Sequence, residues 1–131
     1  MTGKPPYASK GLDHLLLKVR GLEAAIEFYG AVAGCDLRSR LPQHGMAELS
    51  GGLDLVYIAA AEGAWAREGA GEGANVHHFC LSLAAVKETD IRQHLQDSRV
   101  AIEEERLEGG RLSLYVRDPS GNQVELRFSP L

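Results

Sequence analysis

The chain has 131 residues and a formal net charge of −4, with 44% hydrophobic and 24% charged residues. That length suits one compact domain or two small fused modules, and roughly two-thirds of the unfolded surface can be buried without help from a disulfide or structural metal. Lys and Arg are mixed with Asp and Glu along the chain rather than gathered in a block. That argues against a nucleic-acid or membrane-surface partner.

Residues 1–10, "MTGKPPYASK", lack the apolar core of a secretion signal and read as a flexible leader. No apolar stretch approaches the roughly 18 residues of a membrane span. Cys35 and Cys80 are the only cysteines and neither has a CxxC neighbour, as expected of reduced thiols in a cytoplasmic protein.

"LDHLLLKV" (12–19) predicts a strand, and "GLEAAIEFYGAVAG" (21–34) a helix. In the helix Leu22, Ala25, Ile26, Tyr29 and Val32 keep the spacing of one apolar face, and Gly34 supplies the stop. Three short strands are expected next, at "DLRSRL" (36–41), "MAELS" (46–50) and "LDLVYI" (53–58), set apart by Gly45, Gly51 and Gly52. The Ala- and Gly-rich stretch 60–75 reads as a linker or mobile loop.

The order then repeats. "HHFCLSL" (77–83) predicts a strand, and "VKETDIRQHLQDS" (86–98) a helix with a thinner stripe at Ile91 and Leu95. "VAIEEE" (100–105), "RLSLYVR" (111–117) and "NQVELRF" (122–128) predict three more strands, the last two joined by the turn "DPSGN". Strand-helix-strand-strand-strand, twice, makes the chain α+β: two βαβββ modules, 11–59 and 76–129, within one domain spanning 11–131. Neither module can cover its own concave face, so two should pair around a cleft.

Alternation sorts the strand residues by face. Leu15, Leu17 and Val19 turn to the helix, which leaves His14, Leu16 and Lys18 on the open face. His77, Phe79, Leu81 and Leu83 take the helix side of the fifth strand; His78, Cys80 and Ser82 face away. On the last strand Val124, Leu126 and Phe128 are core, while Glu125 and Arg127 face the cleft. Asp54, Val56 and Ile58 share one face of the fourth strand, and Ser113, Tyr115 and Arg117 one face of the seventh. His77 is expected either at the rim or as a cap of the strand. His14, His78 and Glu125, with Asp54 near them, compose a 2-His-1-carboxylate set for one borderline divalent metal with positions left open.

"LDHLLLKVRGLEAAIEFYGAVAG" and "SLYVRDPSGNQVELRF" resemble the opening and closing signatures of the vicinal oxygen chelate superfamily, the glyoxalase/bleomycin resistance/dioxygenase family. The resemblance runs from Gly11 to Phe128. It implies a half-barrel cleft with one divalent ion (Zn, Ni, Mn or Fe) on His14, His78 and Glu125. Asp54 stands where glyoxalase I has a fourth ligand, a glutamate; one methylene shorter, it is either a ligand or a base acting beside the metal. Catalytic roles fall to Glu125, Asp54 and Tyr115, and substrate contacts to Arg127 and Cys80.

The activity implied is that of a metal-dependent lyase or isomerase on a small oxygenated metabolite chelated through vicinal oxygens. The alternatives are a ferrous-iron extradiol-type dioxygenase and a small-molecule binder of the bleomycin-resistance type. Extradiol enzymes carry a histidine several residues before the tyrosine, where this chain has "EERLEGGR". A homodimer is expected on family grounds, with the modules paired either within one chain or between two.

Overall fold

A computed structural model describes Pro6, residues 12–57 and residues 76–131. The expected linker 60–75 lies outside the described residues, as does the leader apart from Pro6. The first module runs β1 (Leu15–Val19), α1 (Leu22–Ala31), β2 (Leu37–Leu41), β3 (Met46–Leu49) and β4 (Leu53–Tyr57). The second runs β5 (Phe79–Ser82), α2 (Glu88–Asp97), β6 (Glu104–Glu108), β7 (Arg111–Arg117) and β8 (Gln123–Phe128). Each forms a four-stranded mixed sheet, ordered β1-β4-β3-β2 and β5-β8-β7-β6. In both, the first and last strands pair in parallel and the other pairs are antiparallel. These are two βαβββ modules of an α+β fold.

The alternation holds. Leu15, Leu17, Val19, Leu53, Leu55, Phe79, Leu81, Leu83, Val124, Leu126 and Phe128 all join one apolar cluster with both helices. Fully buried members such as Leu53, Leu114 and Leu126 each contribute roughly 1.5–3 kcal/mol from burial. Helix α1 presents Leu22, Ala25, Ile26 and Tyr29 to this core, and also Phe28, which stands edge-on to Tyr29 with ring centroids 5.1 Å apart. Gly34, at φ +75°, releases the chain from the helix into β2.

Polar contacts tie the modules together. The buried Tyr29 hydroxyl donates to Asp118 Oδ2 at 2.8 Å, and Arg20 N donates to Ser120 Oγ at 2.9 Å. Asp118 also accepts from Ser120 N, Asn122 N and Asn122 Nδ2, so one carboxylate shapes the "DPSGN" turn and anchors α1 to it.

Three of the boundaries that differ from expectation bear on the site. The sixth strand begins at Glu104, not Val100: Val100 and Ile102 pack against the core, but ladder pairing starts at Glu104↔Tyr115. His14 and His78 fall just before β1 and β5 rather than within them, because the parallel ladders open at Leu15↔Leu53 and Phe79↔Val124. Ile58 lies outside the described residues. Among the described residues no helix is long and apolar enough to cross a membrane.

Candidate functional site

On the open face of the second sheet, Cys80, Glu125, Tyr115 and Glu104 stand in register across β5, β8, β7 and β6. Glu125 is only 7% exposed. Its Oε1 lies 3.1 Å from His78 Nε2, and its Oε2 accepts from Ser113 Oγ at 2.6 Å. Burial pushes the Glu125 carboxyl up, but hydrogen bonds from Ser113, Tyr115, Cys80 and His78 outweigh it and hold the pKa below the ordinary value. The group is kept as an anion. Burial and the bond to Glu125 raise the Tyr115 phenol, which keeps its proton.

His78 is oriented from two other sides. Its Nδ1 lies 2.8 Å from His77 Nδ1, so one nitrogen carries the proton and the other accepts it. Its ring meets Tyr115 edge-on, centroids 5.5 Å apart. His77 itself is exposed, as expected of a rim residue. The cleft above these groups has a volume of about 120 Å³ and is completed by Arg127 and, from β6, Arg106 and Glu108. The Nε of Arg127 is itself closed to solvent and has no hydrogen-bond partner among the described residues.

The first module carries the matching half. Leu16 pairs with Asp54 as Cys80 pairs with Glu125, so Asp54 and Glu125 are equivalent, as are His14 and His78. Asp54 is buried, and its pKa is raised by burial and then by Glu48 beside it in the β3–β4 register, against the pull of His14. Ser39 Oγ donates to Glu48. His14 is exposed; its Nδ1 lies 2.8 Å from Asp13 Oδ1, and that bond raises its pKa.

Gly52, at φ +76°, lets the β3–β4 turn pass under His14: a Cβ there would stand 2.8 Å from Asp13 O. A second cleft of about 230 Å³ lies between the starts of β1 and β5, lined by His14, Gly52, Phe79 and Cys80 among others. Cys80 is exposed, and burial of its thiol followed by the charge of Glu125 raises its pKa.

The chain therefore brings His78, Glu125, Tyr115, Arg127 and Cys80 to one sheet face, and His14 and Asp54 to another. Among the described residues no three His, Cys, Asp or Glu side chains stand together as a cation site. Sequence reasoning gave no role to Ser113, Glu48 or Arg106. Alternation along "MAELS" could have put Glu48 beside Asp54, whereas Arg106 lay just past the strand expected over 100–105, which instead runs Glu104–Glu108.

Residues 11–126 match the family model for the glyoxalase/bleomycin resistance protein/dioxygenase superfamily. The chain belongs to that superfamily. Solved structures agree with this glyoxalase fold. A lactoylglutathione lyase from Agrobacterium tumefaciens is 23% identical, with a TM-score of 0.65 over 95% of this chain and 96% of that one. A glyoxalase/dioxygenase from Nostoc punctiforme is 18% identical, with a TM-score of 0.67 over 100% and 99%. An integron cassette protein from the Vibrio cholerae mobile metagenome is 25% identical, with a TM-score of 0.62 over 93% and 97%.

Proposed function

We propose that this glyoxalase-superfamily chain is a metal-dependent lyase or isomerase acting on a small oxygenated metabolite held through two neighbouring oxygens. The observation that carries the reading is the 3.1 Å approach of His78 Nε2 to Glu125 Oε1. An imidazole nitrogen and an ionised carboxylate meet at a cleft, each held by a further partner, which is how ligands of a borderline divalent ion are built. The donor types suit such an ion: His78 and Glu125 from the second module and, on a separate face of the chain, His14 from the first. When bound, the ion would act as a Lewis acid on the substrate's oxygens.

The chain's own groups divide the remaining tasks. His77 fixes which nitrogen of His78 faces Glu125, and Ser113 holds the carboxylate's other oxygen. Asp54, with its raised proton affinity, takes a substrate proton and returns it. Tyr115 orients the substrate's polar end. The donors are divided between two faces of one chain, which supports a homodimer in which the first module of one copy meets the second of its partner.

Metal analysis of protein purified without chelator tests the reading. About one divalent ion per cleft is expected. Replacing His78 by Ala strips it, while His77→Ala keeps the ion with affinity reduced by no more than roughly 10–100-fold. Retention by the His78 variant with loss by the His77 variant would refute the assignment. Sedimentation equilibrium at micromolar concentration should give a dimer; a metal-loaded monomer sinks the shared site. Oxygen uptake with a catechol would move the activity to the dioxygenase branch.

A further inference from the structure

The residues one step along the second sheet from Glu125 form another row. Ser82 pairs with Arg127, Arg127 with Ser113, and Ser113 with Arg106. We infer that this row, Ser82–Arg127–Ser113–Arg106, is an oxyanion-binding subsite, and that the metabolite held at His78 and Glu125 carries a carboxylate or phosphate group. The inference rests on the reading of His78 and Glu125 given above and adds the chemical class of the substrate.

The orphaned donor carries the argument. Arg127 Nε is buried without a partner among the described residues, although two serines flank it in the row and a carboxylate stands two residues away. None of those neighbours accepts from it. Ser113 donates its hydroxyl to Glu125, and Ser82 Oγ accepts from Arg111 Nη2 at 2.9 Å. Glu125 meets His78 Nε2 with its Oε1 and accepts from Ser113 Oγ with its Oε2. A buried guanidinium N–H left unpaired costs free energy, which favours turning the Arg127 guanidinium into the cleft once an acceptor occupies it.

A guanidinium presents its donors as a planar fork that suits a two-oxygen acceptor, so a carboxylate or phosphate is the matching ligand. Arg106 stands at the far end of the row and lines the same cleft. Glu104 and Glu108 flank it on β6, both exposed, and moderate the charge at the rim; Glu108 also pairs in register with Arg111. The cleft volume of about 120 Å³ equals roughly four waters at ~30 Å³ each. That is room for an oxyanion group and the carbon that bears it, beside the His78–Glu125 pair.

The repeat supplies an internal control. In the first module the equivalent row is Lys18–Val56–Met46–Leu41, with apolar side chains where the second has Arg127, Ser113 and Arg106. Sheet geometry alone does not demand the guanidiniums.

The test uses full-length protein stripped with chelator and dialysed free of it, so that no ion competes for the probe. Calorimetric titrations with oxalate and with inorganic phosphate are compared with oxamide, the neutral diamide of oxalate's shape. Wild type should bind at least one anion and bind oxamide at least about tenfold more weakly; loss of the charge-assisted bonds in Arg127→Gln should weaken the anion roughly 10–100-fold. Arg127→Lys, which keeps the charge but not the fork, should fall between the two, and Arg106→Gln should cost less than Arg127→Gln. Preference for oxalate assigns a carboxylate, and preference for phosphate a phosphoryl group.

Melting curves check that each variant is folded; should Arg127→Gln fail, Arg127→Lys and Arg106→Gln decide. Absence of anion binding by wild type, equal binding by the folded variants, or equal binding of oxamide overturns the subsite. His78→Ala separates the two readings, since it should lose the divalent ion yet keep the anion. Anion binding in a protein that takes up no metal sinks the metal reading and leaves the subsite standing; metal uptake with no dependence of anion binding on Arg127 does the reverse.

Discussion

Asp54 and Glu125 occupy the same place in the two modules and have opposite proton affinities. Both are buried, and each lies across the ladder from the residue two beyond its module's histidine. Beside Asp54 the register places Glu48, a second carboxylate; beside Glu125 it places Tyr115, a donor, with Ser113 reaching in from the next row. Burial raises both acids, the Glu48 charge raises Asp54 further, and hydrogen bonding, that of Ser113 foremost, carries Glu125 below its ordinary value. The neighbouring strand, not the acid's own position, decides which carboxylate is a standing anion and which can hold a proton.

Replacing Asp54 by Asn tests one side of that difference and carries the largest expected effect. If Asp54 is the base, turnover of a true substrate should drop by roughly 10²–10⁴-fold while metal content stays nearly intact. A parallel fall in metal affinity would make it a ligand instead. Stability should move the other way. A carboxyl whose folded pKa is raised binds protons more readily folded than unfolded, so its contribution falls as pH rises through the folded pKa. The Asn variant should therefore melt higher than wild type at neutral pH. That advantage should fade towards pH ~4.

Glu125→Gln should do the opposite. Metal affinity should fall by more than the roughly 10–100-fold expected for loss of an outer partner such as the Ser113 hydroxyl. A folded pKa below the unfolded one gives stability above the unfolded pKa that is lost as pH falls through the folded value. The variant should be less stable at neutral pH by about 1–3 kcal/mol, with the gap closing in acid. Denaturant melts of both variants across pH 3–8 would show curves of opposite slope if the comparison is right, and parallel curves if it is not.

The smallest effect concerns the join between the modules. Tyr29→Phe removes the donor to Asp118 Oδ2, which keeps its bond from Asn122 Nδ2. A loss of about 1 kcal/mol in a chemical melt is expected, with the ion content of the His78–Glu125 cleft unchanged. A change in ion content would mean that α1 positions the second module's site as well as packing against it.

Much of this was legible from residue order. Two-residue alternation placed Leu15, Leu17 and Val19, and likewise Phe79, Leu81 and Leu83, on the helix side, because a strand has only two faces and one of them must be apolar. Strand β7 was legible to the residue, bounded by Gly109–Gly110 on one side and the "DPSGN" turn on the other. Phe28 escaped the reading because the helical stripe was drawn one residue too narrow.

Alternation says which way a side chain points but not where a ladder opens, since pairing requires a partner strand that the local sequence does not name. That is why Val100 was assigned to a strand that begins at Glu104, and His14 and His78 to strands that begin one residue later. The repeat, the two faces of each strand and the candidates His14, His78, Asp54 and Glu125 follow from the order of residues alone. Which of them meet, and with what proton affinity, was decided only by the tertiary structure: Ser113 and Tyr115 on one acid, Glu48 on the other and an unpartnered Nε on Arg127 are cross-strand relations, and a hydrogen bond or a charge acts over a few ångströms of space whatever the distance along the chain.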